Sequence, residues 1–141
     1  MVDPKFIGKE YTPITYEVGR EKIKEFAIAI TDDLPVFLEK EGNPHGDIIA
    51  PPTFIVRIQG DGIAQLLFDR EMDLNFAMLV HGEQEFEWFD TIKPNDVLVT
   101  ETKVADIYEK DGNKDFVVGE CTTKRGDQVV VVGRYNFVIR R

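Results

Sequence analysis

The sequence predicts an α+β domain in which an antiparallel sheet curls around one buried helix. Apolar residues in the first half of the chain recur at helical spacing, and the most apolar such segment covers residues 53–68. The second half consists of strand-forming segments separated by tight-turn signals. A buried helix followed by an antiparallel meander is expected to pack against that sheet, because each element has an apolar face to bury.

Four short elements are predicted before the central helix. In chain order they are a strand or lead-in segment over 16–19, a helix over 20–30, a second helix over 34–39 and a loop over 43–47. Asp32 and Asp33 are expected to close the first helix. Pro35 suits the first position of the second helix, where the missing N–H has no intrahelical partner to lose.

The central helix is predicted to open at Pro52 or Thr53, because the paired prolines before it disfavour helix further upstream. Gly60 and Gly62 lie inside it, and we interpret them as places where another backbone comes close. The alternative is a break at residues 59–62, since each interior glycine costs about 1 kcal/mol of helix propensity.

Four strands are predicted after Asn75, over residues 79–89, 97–108, 116–123 and 129–139. The sequences Asp-Gly-Asn at 111–113 and Arg-Gly-Asp at 125–127 are turn signals between the last three strands. These three strands are therefore predicted to form an antiparallel meander.

Composition limits the function classes. The chain has 141 residues, which suits a single domain over 1–141, and its net charge is −9. That charge argues against nucleic-acid binding, which needs a concentrated basic surface, and against an anionic membrane face. Two widely separated histidines predict no metal site, and no cofactor is predicted.

Cysteine usage and the N-terminus point to the cytoplasm. Cys121 is the only cysteine, so no intrachain disulfide can form, as is usual in a reducing compartment. The first residues lack the apolar core of a signal peptide, and no apolar run approaches membrane-spanning length.

Residues 31–37 read Thr-Asp-Asp-Leu-Pro-Val-Phe. They resemble the segment Gly-Asp-x-Asn-Pro-x-His that follows a short helix in the MaoC-like hydratases and dehydratases. Asp32 occupies the acid position and Pro35 the proline position, but Phe37 stands where the family has histidine. In that family the Asp and His together handle a water that adds to, or leaves, the C2–C3 bond of an acyl thioester. Phenylalanine cannot carry a proton, so the resemblance implies a chain that assists a catalytic partner.

The segment 49–54, Ile-Ala-Pro-Pro-Thr-Phe, resembles the start of the family's central helix. Active members begin that helix with His-Gly, and the glycine N–H helps to polarise the thioester carbonyl. Those two positions are Pro51 and Pro52 here, and proline has no N–H to donate. The resemblance therefore implies that the carbonyl-binding donor is missing together with the general base.

A third resemblance covers residues 80–88 and 92–98. Together with the other two, it identifies the chain as similar to the N-terminal type of MaoC dehydratase domain, also called the FAS1-like dehydratase domain. The implied fold is the hot dog fold, an antiparallel sheet around a central helix, paired edge to edge as a double hot dog. As a separate chain it most resembles the non-catalytic subunit of two-subunit (3R)-hydroxyacyl-thioester dehydratases.

The resemblance implies the ligand, the partners and a set of site residues. The ligand is an acyl-CoA or acyl-carrier-protein thioester, and the partner is a catalytic MaoC-type subunit or a second copy of the chain. Asp32 is the candidate catalytic residue. The candidate substrate-binding residues are Phe37, Pro52, Thr53, Phe54, Ile55, Ile58, His81 and Gly82.

Other interpretations remain open. Asp32 could simply cap a helix or turn, Phe37 could be a core residue, and His45 could be a displaced proton carrier. A homodimeric hot dog thioesterase is one alternative function, with Asp61 as its best carboxylate. An acyl-thioester binding protein without chemistry is the other.

Overall fold

A five-stranded antiparallel sheet wraps around one long helix. The computed structural model describes all 141 residues. The strands lie in the order β1-β3-β4-β5-β2. Their bounds are β1 (Ile14–Glu17), β2 (Leu79–Trp88), β3 (Val97–Lys110), β4 (Lys114–Arg125) and β5 (Gln128–Arg140). The predicted α+β hot dog arrangement is confirmed, and so is the antiparallel meander β3-β4-β5.

The helices are α1 (Arg20–Ala29), α2 (Pro35–Leu38) and α3 (Ile55–Leu67). The first two match their predicted positions within a residue or two, with Pro35 at the start of α2. Residues 43–47 form a loop, as predicted. None of the helices has both the length and the apolar composition needed to cross a membrane.

Helix α3 is continuous, so the alternative of a break at residues 59–62 is wrong. A 3-10 turn begins at Pro52 and ends at Phe54, and it leads directly into α3, which begins at Ile55. A Cβ at Gly62 would lie 2.3 Å from Oγ1 of Thr102, so glycine is what lets α3 lie this close to β3. A Cβ at Gly60 would meet nothing within 4 Å, and that glycine has no such role.

The two edges of the sheet differ. Strand β1 has four residues, whereas β2 has ten and pairs only with β5, which leaves its other side free. His81 lies opposite Phe137 and Glu83 opposite Asn136, so Gly82 is the extra residue of a β-bulge. A long unpaired edge is a ready site for pairing with another strand.

Candidate functional site

An apolar pocket of about 580 Å³, here called the α2 pocket, lies beside the acid segment. It is bounded by α2, the loop before Pro51 and the segment that follows β2. Its lining residues are Val36, Phe37, His45, Ile49, Ala50, Pro52, Trp88, Asp90 and Thr91. The structure thus brings two of the predicted substrate-binding residues, Phe37 and Pro52, to one surface, together with His45.

The C-terminus of α1 orients the acid segment. The N–H of Asp32 donates to the carbonyl of Ala27 at 2.8 Å, and that of Thr31 donates to the carbonyl of Ile28 at 3.0 Å. This pair of bonds is the Schellman motif, which requires a left-handed residue at its turn. Thr31 supplies it with φ of 58°. Asp32 itself is half-buried and does not line the α2 pocket.

Phe37 is both a core residue and part of the pocket wall. Its side chain is only 7 % exposed, and it lies on the short helix α2 that Pro35 begins. At the position where the resembled motif has an imidazole, the α2 pocket therefore presents an aromatic carbon surface. That surface can pack against an alkyl chain but can neither accept nor donate a proton.

The loop 89–96 forms the polar side of the α2 pocket, and Arg125 holds it in place. Arg125 donates to both carboxylate oxygens of Asp96, at 3.0 and 2.6 Å, to Asp90 at 3.1 Å and to the carbonyl of Thr91 at 2.8 Å. The N–H of Thr91 donates to Asp90 at 2.8 Å. This backbone donor, helped by Arg125, lowers the pKa of Asp90 from its usual value. The carboxylate of Asp90 is therefore ionised and already accepts hydrogen bonds, so it is not a proton donor.

The loop before Pro51 is anchored to α1 and to the loop 89–96. Arg20 donates to both oxygens of Asp47 at 2.7 Å, and this fork holds the pKa of Asp47 well below its usual value. The N–H of Ala50 donates to the carbonyl of Ile92 at 2.8 Å. The backbone hydrogen bond thus joins two sides of the α2 pocket, and the charged fork fixes one of them to α1.

Thr53 and Phe54 face a different depression, here called the α1 groove, of about 670 Å³. Its lining residues are Lys22, Glu25, Phe26, Ala29, Ile30, Thr53, Phe54, Val56 and Arg57. The 3-10 turn Pro52–Phe54 separates it from the α2 pocket. Four of the predicted substrate-binding residues are therefore divided between two surfaces on either side of one turn: Phe37 and Pro52 line the α2 pocket, and Thr53 and Phe54 line the α1 groove.

Ile55 and Ile58 form no surface in the single chain. Their side chains are 0 % and 1 % exposed and belong to the core cluster between α3 and the sheet. Phe54 is also 0 % exposed, although its ring borders the α1 groove. The apolar spacing that suggested a pocket wall is the buried side of α3, so Ile55 and Ile58 are core residues and do not face a ligand in the single chain.

His81, Gly82 and Asp61 lie away from both depressions. Nε2 of His81 lies 3.1 Å from the carbonyl oxygen of Glu83, and its ring packs 5.2 Å from that of Phe137. The structure thus places His81 in a packing and hydrogen-bonding position on the edge strand β2. Asp61 is 63 % exposed on the outer face of α3 and pairs with Arg57 at 3.7 Å.

Several pocket residues were missed by reasoning from the sequence: Val36, Ile49, Ala50, Trp88, Asp90 and Thr91. Trp88 carried the best available signal, since it is the only tryptophan and ends a strand that otherwise consists largely of polar residues. Asp90 and Thr91 gave no signal, because their position depends on the hydrogen bonds of Arg125, which is 34 residues away in the chain.

Comparisons with known proteins agree with this fold. Residues 5–132 match the family described as the FAS1-like dehydratase domain region. A relative from Saccharopolyspora erythraea, a UPF0336 protein, is 41 % identical over 133 residues, which cover 91 % of this chain and 85 % of the relative. Among solved structures, the C-terminally truncated HadBC (3R-hydroxyacyl-ACP dehydratase) complex from Mycobacterium tuberculosis contains a chain with 27 % identity. That chain superposes with a TM-score of 0.80, over 94 % of this chain and 96 % of the other. A MaoC-like dehydratase superposes with a TM-score of 0.85 at 20 % identity, over 96 % of this chain but only 42 % of the other.

Proposed function

This chain belongs to the FAS1-like dehydratase domain family, and from that premise we propose that it is the non-catalytic subunit of a (3R)-3-hydroxyacyl-thioester dehydratase or 2-enoyl-thioester hydratase. A MaoC-type partner with an intact acid and histidine supplies the proton transfers. The present chain completes the acyl-binding channel and sets the preference for chain length.

The observation that carries the proposal is the α2 pocket itself. It has the size and apolar lining of a site for an alkyl chain. At the position where the resembled motif has its base, the pocket has Phe37, and at the start of α3 it has Pro52, which has no N–H. A pocket of this kind can bind an acyl chain, whereas water addition needs a proton carrier and a carbonyl-binding donor as well.

The partner is expected to pair with β2. This strand is the long free edge of the sheet, and Val80 and Phe89, on and just beyond it, are 49 % and 56 % exposed. Pairing through β2 would continue the sheet into a second domain of the same fold and cover these side chains. Two comparisons support such an assembly. The HadBC structure is a complex, and the longer MaoC-like chain leaves more than half of its length unmatched by this one.

The deciding experiment is the hydration of crotonyl-CoA, followed by the loss of enoyl absorbance. We expect no measurable hydration by the purified chain alone, and hydration when it is co-expressed and purified with a MaoC-type partner that has the complete motif. Activity of the chain alone would overturn the proposal. An acyl-thioester binding protein without chemistry would bind the ligand but would not raise the activity of any hydratase subunit.

Asp32→Asn in the complex tests the division of labour. The complex should keep its activity within about twofold, because the partner supplies the general acid and base. Asp33→Asn is the matched control, since Asp33 is the neighbouring exposed carboxylate. A loss of about a hundredfold or more for Asp32→Asn, with Asp33→Asn unaffected, would show that this chain contributes a catalytic carboxylate.

A further inference from the structure

Strand β2, the long free edge of the sheet, carries a row of carboxylates here called the β2 stripe: Glu83, Glu85 and Glu87. All three residues are exposed. The residues between and after them alternate to the other side, where Phe86 and Trp88 pack against the core. The β2 stripe therefore lies on the outward side of the sheet, along the edge that no strand of this chain covers.

The negative charge of the β2 stripe is largely uncompensated within the chain. Nη1 of Arg134 lies 3.4 Å from Glu85, but Nε of the same guanidinium donates to Glu120 at 3.0 Å, so one cation is shared between two carboxylates. Glu85 is the only member of the stripe with an ion pair. Glu83 and Glu87 make neither an ion pair nor a side-chain hydrogen bond, and they are available to a neighbouring strand.

An open depression of about 470 Å³ adjoins the β2 stripe on the outward side of the sheet. Its lining residues are Glu83, Gln84, Glu85, Val118, Arg134 and Asn136. Oδ1 of Asn136 makes no hydrogen bond within the chain. Acceptors thus outnumber donors here, and a basic side chain from a strand added to β2 would restore the balance.

A second copy of this chain would bring the β2 stripe against itself. Identical edge strands pair about a twofold axis, and residues directly opposite each other in an antiparallel pair point to the same side of the sheet. Pairing centred on Gln84 would place Glu83 opposite Glu85 of the second copy. Pairing centred on Glu85 would place Glu85 opposite itself and Glu83 opposite Glu87. The middle of β2 lies between Glu83 and Gln84, so pairing over the whole strand sets like charges against each other, which is destabilising.

We propose that the β2 stripe selects the strand that pairs with β2: it opposes a second copy of this chain and favours a subunit with lysine or arginine on the outward side of its own edge strand. This inference rests on the proposed function, because it takes β2 as the edge that the partner joins. Backbone hydrogen bonds and the burial of Val80 would supply affinity, and the charges would decide between partners. The chain is then built for a heterodimer.

A charge-swapped copy of the chain tests this selection without any other protein. The triple variant Glu83→Lys, Glu85→Lys, Glu87→Lys should oppose itself as the wild type does, but the two should attract each other. Sedimentation equilibrium at low ionic strength should show each protein alone as a monomer and their mixture as a heterodimer. We expect a Kd for the mixture at least about tenfold below that of either homodimer. The difference should largely disappear in about 1 M salt, where the screening length is about 3 Å.

Two further variants separate the position of the charges from their number. The triple variant Asp33→Lys, Glu39→Lys, Glu41→Lys is the matched control, because it changes the net charge by the same amount at exposed carboxylates that make no ion pair and lie outside β2. Its mixture with the wild type should stay monomeric.

The neutral triple variant Glu83→Gln, Glu85→Gln, Glu87→Gln keeps the size of the side chains and removes the repulsion. It should self-associate about tenfold more tightly than the wild type at low ionic strength.

Four results would overturn the inference. They are a wild type that dimerises alone as tightly as the mixture, a charge-swapped mixture that stays monomeric, a control variant that pairs with the wild type equally well, and a neutral variant that self-associates no more tightly than the wild type. None of them changes what the crotonyl-CoA assay reports, because that assay measures proton transfer supplied by the partner. Conversely, a complex without hydratase activity would count against the proposed function and leave the charge selection at β2 intact.

Discussion

The α2 pocket and the interior beneath α3 use polar groups in opposite ways. Beneath α3, Gln59 is fully buried, accepts from the hydroxyl of Tyr135 at 2.8 Å and donates to Oγ1 of Thr123 at 3.0 Å. Thr123 is also 2.8 Å from the hydroxyl of Thr100. In the α2 pocket, by contrast, the imidazole of His45 makes no hydrogen bond within the chain. The buried polar groups stabilise the core through hydrogen bonds to one another, whereas the exposed imidazole of His45 takes no part in the architecture.

The titratable side chains beneath α3 are also part of the architecture and not of a reactive site. Burial raises the pKa of Tyr135 far above its usual value and that of Cys121 to about 11. Both groups therefore keep their protons at neutral pH. Tyr135 remains a hydrogen-bond donor to Gln59, and Cys121 is not a nucleophile. The most polar part of the core is consequently chemically inert.

Gln59→Ala should have the largest effect on stability. It removes the side chain that links Tyr135 to Thr123 in a buried network and leaves the hydroxyl of Tyr135 without an acceptor, in addition to opening a cavity. We expect the free energy of unfolding to fall by about 3 kcal/mol, measured by urea denaturation.

Gln65→Ala on the same helix is the matched control for Gln59→Ala. Gln65 makes one hydrogen bond, to the carbonyl of Thr12 at 2.8 Å, in an exposed setting. Its removal should cost about 0.5 kcal/mol. Equal losses for the two variants would mean that the buried network contributes no more than a surface contact.

Acidification should loosen the α2 pocket before it unfolds the core network, which has no carboxylate. The Arg20 fork holds the pKa of Asp47 below its unfolded value of 3.8. Its contribution to stability is therefore fully present above that value and is lost as the pH falls through the lower folded one. Asp47→Asn should make the acid limb of a stability–pH profile shallower, whereas Asp33→Asn should not. Parallel acid limbs for wild type and Asp47→Asn would contradict this role.

The fold could be predicted further than the site. Periodicity and turn signals located the helices, the meander and the turn at Pro52 that leads into α3, because local spacing and turn chemistry decide those features. The motif also located Phe37 and Pro52 on the pocket. The apolar pattern of α3 could not show that Ile55 and Ile58 point into the core, because the exposed side of this helix also carries an apolar residue, Val56. Nor could it place Asp90 and Thr91, whose positions depend on hydrogen bonds to Arg125, distant in the chain.

Thr31 stands where the resembled motif has glycine, and it has a left-handed backbone that glycine adopts without strain. A β-branched residue with φ of 58° is strained, by about 1 to 2 kcal/mol for a left-handed conformation. Thr31→Gly should relieve that strain, partly offset by the greater freedom of glycine in the unfolded chain. We expect a net gain of about 0.5 to 1 kcal/mol in the free energy of unfolding, smaller than the loss expected for Gln59→Ala.

Thr15→Gly is the matched control for this last change, because Thr15 is an exposed threonine in β1 without a left-handed backbone. That variant should lose stability, since glycine weakens a strand. If Thr31→Gly were also destabilising, its hydroxyl or methyl group would have to stabilise the turn by more than the strain costs. In that case the threonine side chain would maintain the left-handed turn before Asp32, and Thr31 would be more than a tolerated replacement for glycine at this position.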